Sequence, residues 1–300
     1  MEPLPVAAPP GAPLQPLHAL DHLWFQVGGT LCNLECSHCF ISCGPDNREF
    51  GMMGPAEVER LLEESKRLGV KEYYFTGGEP LLNRDLPAIL EMTLRLGPAT
   101  VLTNATILPE RTLVALRRLD EASPYSLEIR VSIDGACAAT NDPIRGPGTF
   151  EMAMQGVRGL LRHGFLPIIT AMQADGATEG FEEFCAALKA VGYERPRLKL
   201  IPPLRIGREA RRSRAYTASE RVSAKMMLGY DDSQLLCSYS RMATDRGVYV
   251  CPILIESASA RLGDTLSESL APFPLGHSAC YSCYLYGSIC SNAASAQRPA

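Results

Sequence analysis

The stretch Glu72-Tyr-Tyr-Phe-Thr-Gly-Gly-Glu-Pro80 joins a short aromatic run to a glycine-rich turn. Such a run is typical of a buried strand. An amphipathic segment over Leu86–Leu96 follows, with Asp85 placed to cap a helix. The run Ala99–Thr103 then predicts a second strand, so this part of the chain has the strand, helix, strand order of a parallel sheet.

The same alternation extends in both directions along the chain. Strands are predicted at Leu23–Val27, Glu72–Phe75, Ala99–Thr103, Leu127–Ser132, Leu166–Met172 and Leu198–Ile201. Further helices are predicted to begin at Pro55 and Thr149 and to span Pro109–Leu119 and Thr178–Val191. Six strands, most of them followed by a helix, favour an α/β fold of the partial (β/α)6 barrel type over the complete eight-stranded barrel.

The composition changes along the chain and predicts three parts. Six prolines within residues 1–16 favour an extended tail that buries nothing. The regular alternation ends after residue 201, and a cysteine-bearing segment begins near residue 230. We therefore predict a proline-rich disordered tail over residues 1–20, a barrel domain over 21–214 and a small cysteine-rich C-terminal extension over 215–300.

An arginine-rich segment follows the last predicted strand. Five arginines fall between residues 205 and 214 and form either a phosphate- or carboxylate-binding patch or a solvated surface segment. Thr217 and Glu220 have the spacing of a capping box, which predicts a helix that runs to about Leu228.

Overall composition excludes several classes of protein. The chain has 300 residues, of which 46% are hydrophobic and 21% charged, as in soluble globular proteins. Its formal net charge of −4 gives no basic field for nucleic acid or anionic membranes. No apolar run reaches the roughly 20 residues of a membrane span, and the first 16 residues lack the layout of a signal peptide. We expect a cytoplasmic protein without nucleic-acid or membrane partners.

Eleven cysteines point to metal binding, because an odd number of thiols in a reducing compartment does not suit a disulfide framework. Cys32, Cys36 and Cys39 form a CxxxCxxC array directly after the first predicted strand. Three thiolates on a four-iron cluster leave one iron open for a substrate or cofactor. A zinc site completed by His38 or Cys43 is the alternative.

The CxxxCxxC array and the Gly77-Gly78-Glu79-Pro80 turn together resemble the radical S-adenosylmethionine (SAM) superfamily. The resemblance implies that the three cysteines hold a [4Fe-4S] cluster whose fourth iron is chelated by SAM. It also implies that the glycine-rich turn receives the SAM amino group.

Other motifs extend the resemblance over about residues 23–210. Leu102-Thr-Asn104 and Val131-Ser-Ile-Asp-Gly135 close two predicted strands, and Arg145-Gly146 follows the second. By resemblance, Asn104 and Ser132 contact SAM and Arg145 contacts its carboxylate. His38 precedes the third cysteine, where it either packs on the adenine or packs within the loop.

The C-terminal part carries a second group of cysteines, namely Cys237, Cys251, Cys280, Cys283 and Cys290. Their layout resembles the twitch or SPASM extensions, although Gly247 and Cys251 enclose three residues where the family usually has four. A β-hairpin near Gly247 would bring Cys237 and Cys251 together. The resemblance favours one auxiliary [4Fe-4S] cluster on the first four cysteines with Cys290 in reserve, and a structural zinc is the alternative.

The resemblance implies an enzyme that cleaves SAM reductively to a 5′-deoxyadenosyl radical. This enzyme would oxidise or cross-link a peptide or a small metabolite with help from the auxiliary cluster, using a low-potential electron donor such as flavodoxin or ferredoxin. A redox-neutral rearrangement with a structural auxiliary cluster and a non-enzymatic iron–sulfur or zinc protein are the alternatives. Because only a proline-rich segment precedes the first strand, a peptide substrate would need a separate recognition protein or direct docking. The sequence identifies no catalytic acid or base.

Overall fold

A computed structural model describes residues 11–173, 179–287, 289–290 and 292. The strands are β1 (Leu14–Gln15), β2 (His22–Phe25), β3 (Glu72–Phe75), β4 (Ala99–Thr103), β5 (Leu127–Ser132), β6 (Ile168–Met172), β7 (Arg197–Ile201), β8 (Ser240–Thr244), β9 (Gly247–Tyr249), β10 (Arg261–Gly263) and β11 (Phe273–Pro274). The helices are α1 (Pro55–Leu68), α2 (Leu86–Thr93), α3 (Glu110–Ala122), α4 (Ala138–Arg145), α5 (Thr149–Arg162), α6 (Phe181–Lys189) and α7 (Ser278–Tyr286).

Strands β2 to β7 lie side by side in chain order, and each is parallel to its neighbours. This order with intervening helices confirms the partial (β/α)6 barrel. β8 adds to the free edge of β2 in parallel, and β9 and β10 continue antiparallel. The C-terminal extension therefore shares one sheet with the barrel, and its separation as a domain at residue 215 stays a prediction.

Alternate residues of the strands face opposite sides of the sheet. On β2, Leu23 and Phe25 belong to the core beneath the helices, whereas Trp24 packs with the C-terminal extension. On β5, Ile129 and Val131 join the helix-side core, while Arg130 lines the cavity that Trp24 also lines. The inner face is therefore where polar side chains can meet a ligand.

The helix predicted over residues 217–228 is wrong. Residues 217–228 form turns instead of a helix, with hydrogen bonds to the third preceding residue, such as Leu228 N–H to the Lys225 carbonyl. Glu220 does accept a hydrogen bond from the Thr217 N–H, but its carboxylate also holds Arg205 and so serves a tertiary contact. The helix predicted over Thr178–Val191 is present as α6 with narrower bounds, and Thr178 lies outside the described residues.

The N-terminal segment is also more ordered than predicted from residue 14 onward. Leu14–Gln15 pairs antiparallel with Phe273–Pro274. The Gln15 amide donates a hydrogen bond to Asp232 at 2.9 Å, and Leu20 is buried. A disordered tail over residues 1–20 is therefore wrong for residues 14–20, because a distant strand supplies their backbone partners; residues 1–10 lie outside the described residues.

No helix in the described part of the chain is both long and apolar enough to cross a membrane.

Candidate active site

A cavity of about 220 Å³ opens at the carboxyl ends of the parallel strands, where barrels of this type place their chemistry. Strand ends contribute Thr76, Thr103, Ser132 and Ile201 to its walls. Most residues predicted to bind the cofactors also line it: Cys32, Cys36, His38, Cys39, Gly77, Gly78, Asn104, Ser132, Arg145 and Cys290. The structure thus brings together two motifs that are one strand and helix apart in the chain.

The cysteine loop is closed by backbone contacts between Cys32 and Gly44, whose N–H to carbonyl distance is 3.1 Å. Burial raises the pKa of Cys32 to about 12 and also raises that of Cys36. Hydrogen bonding from Cys43 lowers the pKa of the Cys39 thiol. Buried thiols of this kind become good ligands when a bound metal supplies the positive charge that stabilises the thiolate.

The described residues contain no group of three or more His, Cys, Asp and Glu side chains close enough to hold a metal ion. A four-iron cluster is larger than an ion and spreads its thiolate ligands around itself. His38, proposed above as a fourth zinc ligand, instead pairs with Asp134. Three thiols lining one cavity therefore fit a cluster better than a single zinc ion.

The glycine-rich turn packs directly on the start of the cysteine loop. The Gly78 N–H donates to the Gly29 carbonyl at 2.8 Å, and the Glu79 N–H donates to the Leu31 carbonyl at 2.9 Å. A Cβ atom at Gly78 would lie 2.1 Å from the Leu31 carbonyl oxygen. Only glycine allows this approach, so the turn leaves its backbone facing the cavity.

Glu79 is fully buried beside the cavity and does not line it. Its carboxylate accepts hydrogen bonds from Thr103 Oγ1 at 2.8 Å, the Asn104 N–H at 2.8 Å and the Leu81 N–H at 3.0 Å. Burial nevertheless raises its pKa to about 7. Pro80 is buried and begins a short 3-10 turn behind it. Glu79 thereby fixes the turn to the end of β4.

Asp134 contacts two residues that line the cavity, His38 and Arg145, and it is a site residue that sequence reasoning missed. One carboxylate oxygen contacts His38 Nε2 at 2.8 Å and Arg145 Nε at 2.6 Å, and the other accepts the Met172 N–H at 2.7 Å. Burial opposes its ionisation, but Arg145 and His38 hold its pKa well below the usual range. The signal was present in the sequence, since Asp134 stands between Ser132 and Arg145.

The C-terminal cysteines divide between two cavities. A small apolar cavity of about 30 Å³ is lined by all four of Cys237, Cys251, Cys280 and Cys283. The predicted hairpin of β8 and β9 is confirmed. Cys290 lines the central cavity instead. Burial raises the pKa of Cys251 and Cys283 well above the ordinary value, so both thiols stay protonated unless a positive charge lies beside them.

The arginine-rich segment is largely neutralised by partners within the protein. Arg205 and Arg214 share the carboxylate of Glu220, at 2.6 Å and 2.7 Å respectively. Arg208 donates to the carbonyls of Cys36 and Ser42 and so clamps the cysteine loop. These contacts favour a structural role for the segment over a phosphate-binding patch.

Comparison with known proteins agrees with this geometry. The model of the radical SAM superfamily matches residues 27–211. Mycofactocin maturase MftC of Mycobacterium tuberculosis is 32% identical over 136 residues, which cover 45% of this chain and 33% of the relative. AdoMet-dependent heme synthase of Oleidesulfovibrio alaskensis is 33% identical over 135 residues, covering 44% of this chain and 33% of the relative. The match thus spans about a third of the length of these curated relatives.

Solved structures share the fold at low sequence identity. SuiB of Streptococcus suis bound to precursor peptide SuiA has a TM-score of 0.63 and 16% identity, covering 86% of this chain and 65% of that one. Native anSMEcpe with bound AdoMet has a TM-score of 0.62 and 16% identity, covering 83% and 79%. With more than half of its residues matched by the family model, the chain belongs to the radical SAM superfamily of enzymes.

Proposed function

We propose that the central cavity is the site where this radical SAM enzyme binds its [4Fe-4S] cluster and SAM. The observation that carries the proposal is that the thiols of Cys32, Cys36 and Cys39 line the same cavity as Gly77 and Gly78. When bound, the cluster supplies one-electron chemistry, namely cleavage of SAM to methionine and a 5′-deoxyadenosyl radical that takes a hydrogen atom from the substrate.

The residues of the chain would bind and orient these groups. Cys32, Cys36 and Cys39 are the cluster ligands, and the backbone of the glycine-rich turn together with Glu79 would receive the SAM ammonium group. Further SAM contacts are assigned to Pro80, Asn104, Ser132, Arg145 and His38. Asp134 positions the last two, since a single carboxylate oxygen contacts both.

We further propose one auxiliary [4Fe-4S] cluster on Cys237, Cys251, Cys280 and Cys283. Support comes from the single cavity that all four thiols line. Its walls are apolar, and exclusion of water is one of the features that set the reduction potential of a bound cluster. Cys290 lines the central cavity, and we therefore propose that it stays outside this ligand set.

For the substrate we propose a peptide, with a small metabolite as the second candidate, which the enzyme oxidises or cross-links. A relative named as a maturase and the fold likeness to SuiB, whose structure includes a precursor peptide, support the peptide. A low-potential donor such as flavodoxin or ferredoxin would supply electrons. A separate peptide-recognition protein is the proposed partner.

The test is an assay of anaerobic SAM cleavage by reconstituted protein. Cleavage is measured as the amount of 5′-deoxyadenosine released. Cys36→Ala should abolish cleavage because it removes a ligand of the SAM-binding cluster. Cys283→Ala should retain cleavage and lose substrate conversion. Equal loss of cleavage in both variants would refute the assignment of SAM cleavage to the first cluster and of substrate conversion to the auxiliary cluster.

A further inference from the structure

Arg130 is a buried cation inside the barrel that no described carboxylate neutralises. Its side chain is 4% exposed and lines the central cavity. Nη1 donates to the Cys290 carbonyl at 2.8 Å, and the other nitrogens reach Thr170 Oγ1 at 3.3 and 3.4 Å. Burial lowers its pKa. A buried charge without a counterion is costly, so an arginine in this position requires a reason.

The described walls of the cavity contain no carboxylate that could supply the missing negative charge. None of the described Asp or Glu residues lines the cavity. The other two arginines in the described lining have partners of their own: Arg145 pairs with Asp134, and Arg208 donates to loop carbonyls and lies 3.7 Å from Glu35. Among the described residues, therefore, no carboxylate of the cavity pairs with the guanidinium of Arg130.

A second buried cation, Lys199, lies on the same face of the sheet. Lys199 on β7 pairs in register with Thr170 on β6, and it is 6% exposed. Burial, followed by the charge of Arg130, lowers the pKa of Lys199 to about 8. The positive charge of Arg130 thus acts on Lys199 across β6, and both side chains lie on the inner face of the sheet.

We propose that Arg130 binds an anionic group of the substrate, a carboxylate or a phosphate, which enters the central cavity. The planar guanidinium matches both groups, and hydrogen bonds to charged partners are strong in a buried site. The inference rests on the proposed function because it places the substrate in the cavity where SAM binds. It differs from the role of Arg145, which is assigned to SAM and already has Asp134 as its partner.

Equilibrium dialysis of reconstituted full-length protein against inorganic phosphate, and separately acetate, tests the proposal. Trp24, the single tryptophan of the chain, lines the same cavity and reports binding by its fluorescence. Wild type and Arg158→Gln should bind alike, since Arg158 is a half-exposed residue paired with Glu151 on α5. Arg130→Gln should weaken binding of at least one of the two anions by on the order of tenfold or more.

Thermal unfolding separates a binding role from a structural one. In anion-free buffer Arg130→Gln should melt above wild type, because an uncompensated buried charge is gone, and it should lose the gain in Tm that the bound anion gives wild type. If this variant does not fold, Arg130→Lys serves instead, keeping the charge but not the planar fork. Anion affinity equal to that of wild type in the folded variant, or no binding of either anion by wild type, would overturn the proposal.

Repeating the dialysis with saturating SAM identifies the source of the anion. Binding that persists supports a substrate group, whereas complete displacement by SAM would assign Arg130 to the SAM carboxylate and overturn the proposal. SAM cleavage is measured on the same wild-type preparation. Failure to cleave SAM would refute the proposed function, whereas cleavage without anion binding would refute only this inference.

Discussion

Nε2 of His38 lies 2.8 Å from a carboxylate oxygen of Asp134, so the cysteine loop is tied to the end of the fourth strand of the barrel. The same oxygen lies 2.6 Å from Nε of Arg145, at the last turn of α4. All three groups are largely buried. One carboxylate therefore joins the segment that carries the cluster ligands to the segment proposed to bind SAM.

Asp134→Asn should destabilise the fold and weaken SAM binding together. The substitution leaves the buried Arg145 without its counterion, which typically costs about 3–5 kcal/mol when one partner of a buried pair is removed. Urea unfolding and equilibrium dialysis with SAM measure the two effects. Glu110→Gln is the matched control, because Glu110 is an exposed carboxylate paired with His163 and should change stability by less than about 0.5 kcal/mol. Wild-type stability in Asp134→Asn would contradict the structural role.

SAM affinity should depend on pH through Glu79. Burial raises its pKa to about 7, so below that pH the carboxyl is protonated in the SAM-free protein and cannot pair with an ammonium group. Affinity should fall about tenfold per pH unit below 7 and level off just above it, where the SAM amino group, with an ordinary pKa of about 8, is still charged. Dialysis between pH 5.5 and 7.5 measures the profile, which Glu79→Gln should flatten while weakening SAM binding. A flat wild-type profile, or unchanged affinity in the variant, would remove Glu79 from SAM binding.

Gly78→Ala should disrupt the packing of the glycine-rich turn on the cysteine loop, although it adds only one methyl group. The added methyl would lie 2.1 Å from the backbone oxygen of Leu31, so the turn and the cysteine loop must separate. We expect reduced iron incorporation and loss of SAM cleavage. Gly54→Ala is the control, since a Cβ there meets nothing within 4 Å and its φ of −88° suits alanine. Full iron content and activity in Gly78→Ala would show that the two segments need not touch.

The two C-terminal cavities predict different effects of neighbouring cysteine variants. Cys283→Ala should remove the auxiliary cluster, whereas Cys290→Ala should retain it because Cys290 lines the other cavity. Iron analysis and Mössbauer spectroscopy distinguish the outcomes. Cys185→Ala on α6 provides a control with a partly buried thiol outside both described linings. Loss of the auxiliary cluster in Cys290→Ala would return that residue to the ligand set.

The barrel was predictable because its strands carry local signals. Runs such as Glu72–Phe75 and Ala99–Thr103 consist mainly of aromatic, aliphatic and β-branched residues, as is typical of buried strands, and the structure gives the same bounds. The glycine-rich turn was recognisable for a similar reason, since its chemistry lies within a few adjacent residues.

The errors arise where distant residues decide the structure. Leu14–Gln15 forms a strand because Phe273–Pro274 lies beside it. Glu220, predicted to cap a helix, instead forms ion pairs with Arg205 and Arg214. Helix α4 was missed because it is short and contains Pro143, which argues against a helix locally.

Parts of the site required the structure for the same reason. The spacing of the C-terminal cysteines could not separate Cys290 from Cys283, since both follow Cys280 closely in sequence. Arg130 is visible as a charged residue within an apolar strand, but the lack of an acidic partner among the described residues is a tertiary property.

Iron and sulfide content, combined with EPR of anaerobically reconstituted protein, shows whether the chain holds two iron–sulfur clusters and whether one of them binds SAM. Wild type is compared with a variant that combines Cys32→Ala, Cys36→Ala and Cys39→Ala, each with and without SAM. Two four-iron clusters predict about eight irons in wild type, about four in the variant and a SAM-dependent spectral change in wild type alone. Zinc in place of iron, or an iron content and SAM response that survive in the variant, would contradict this assignment.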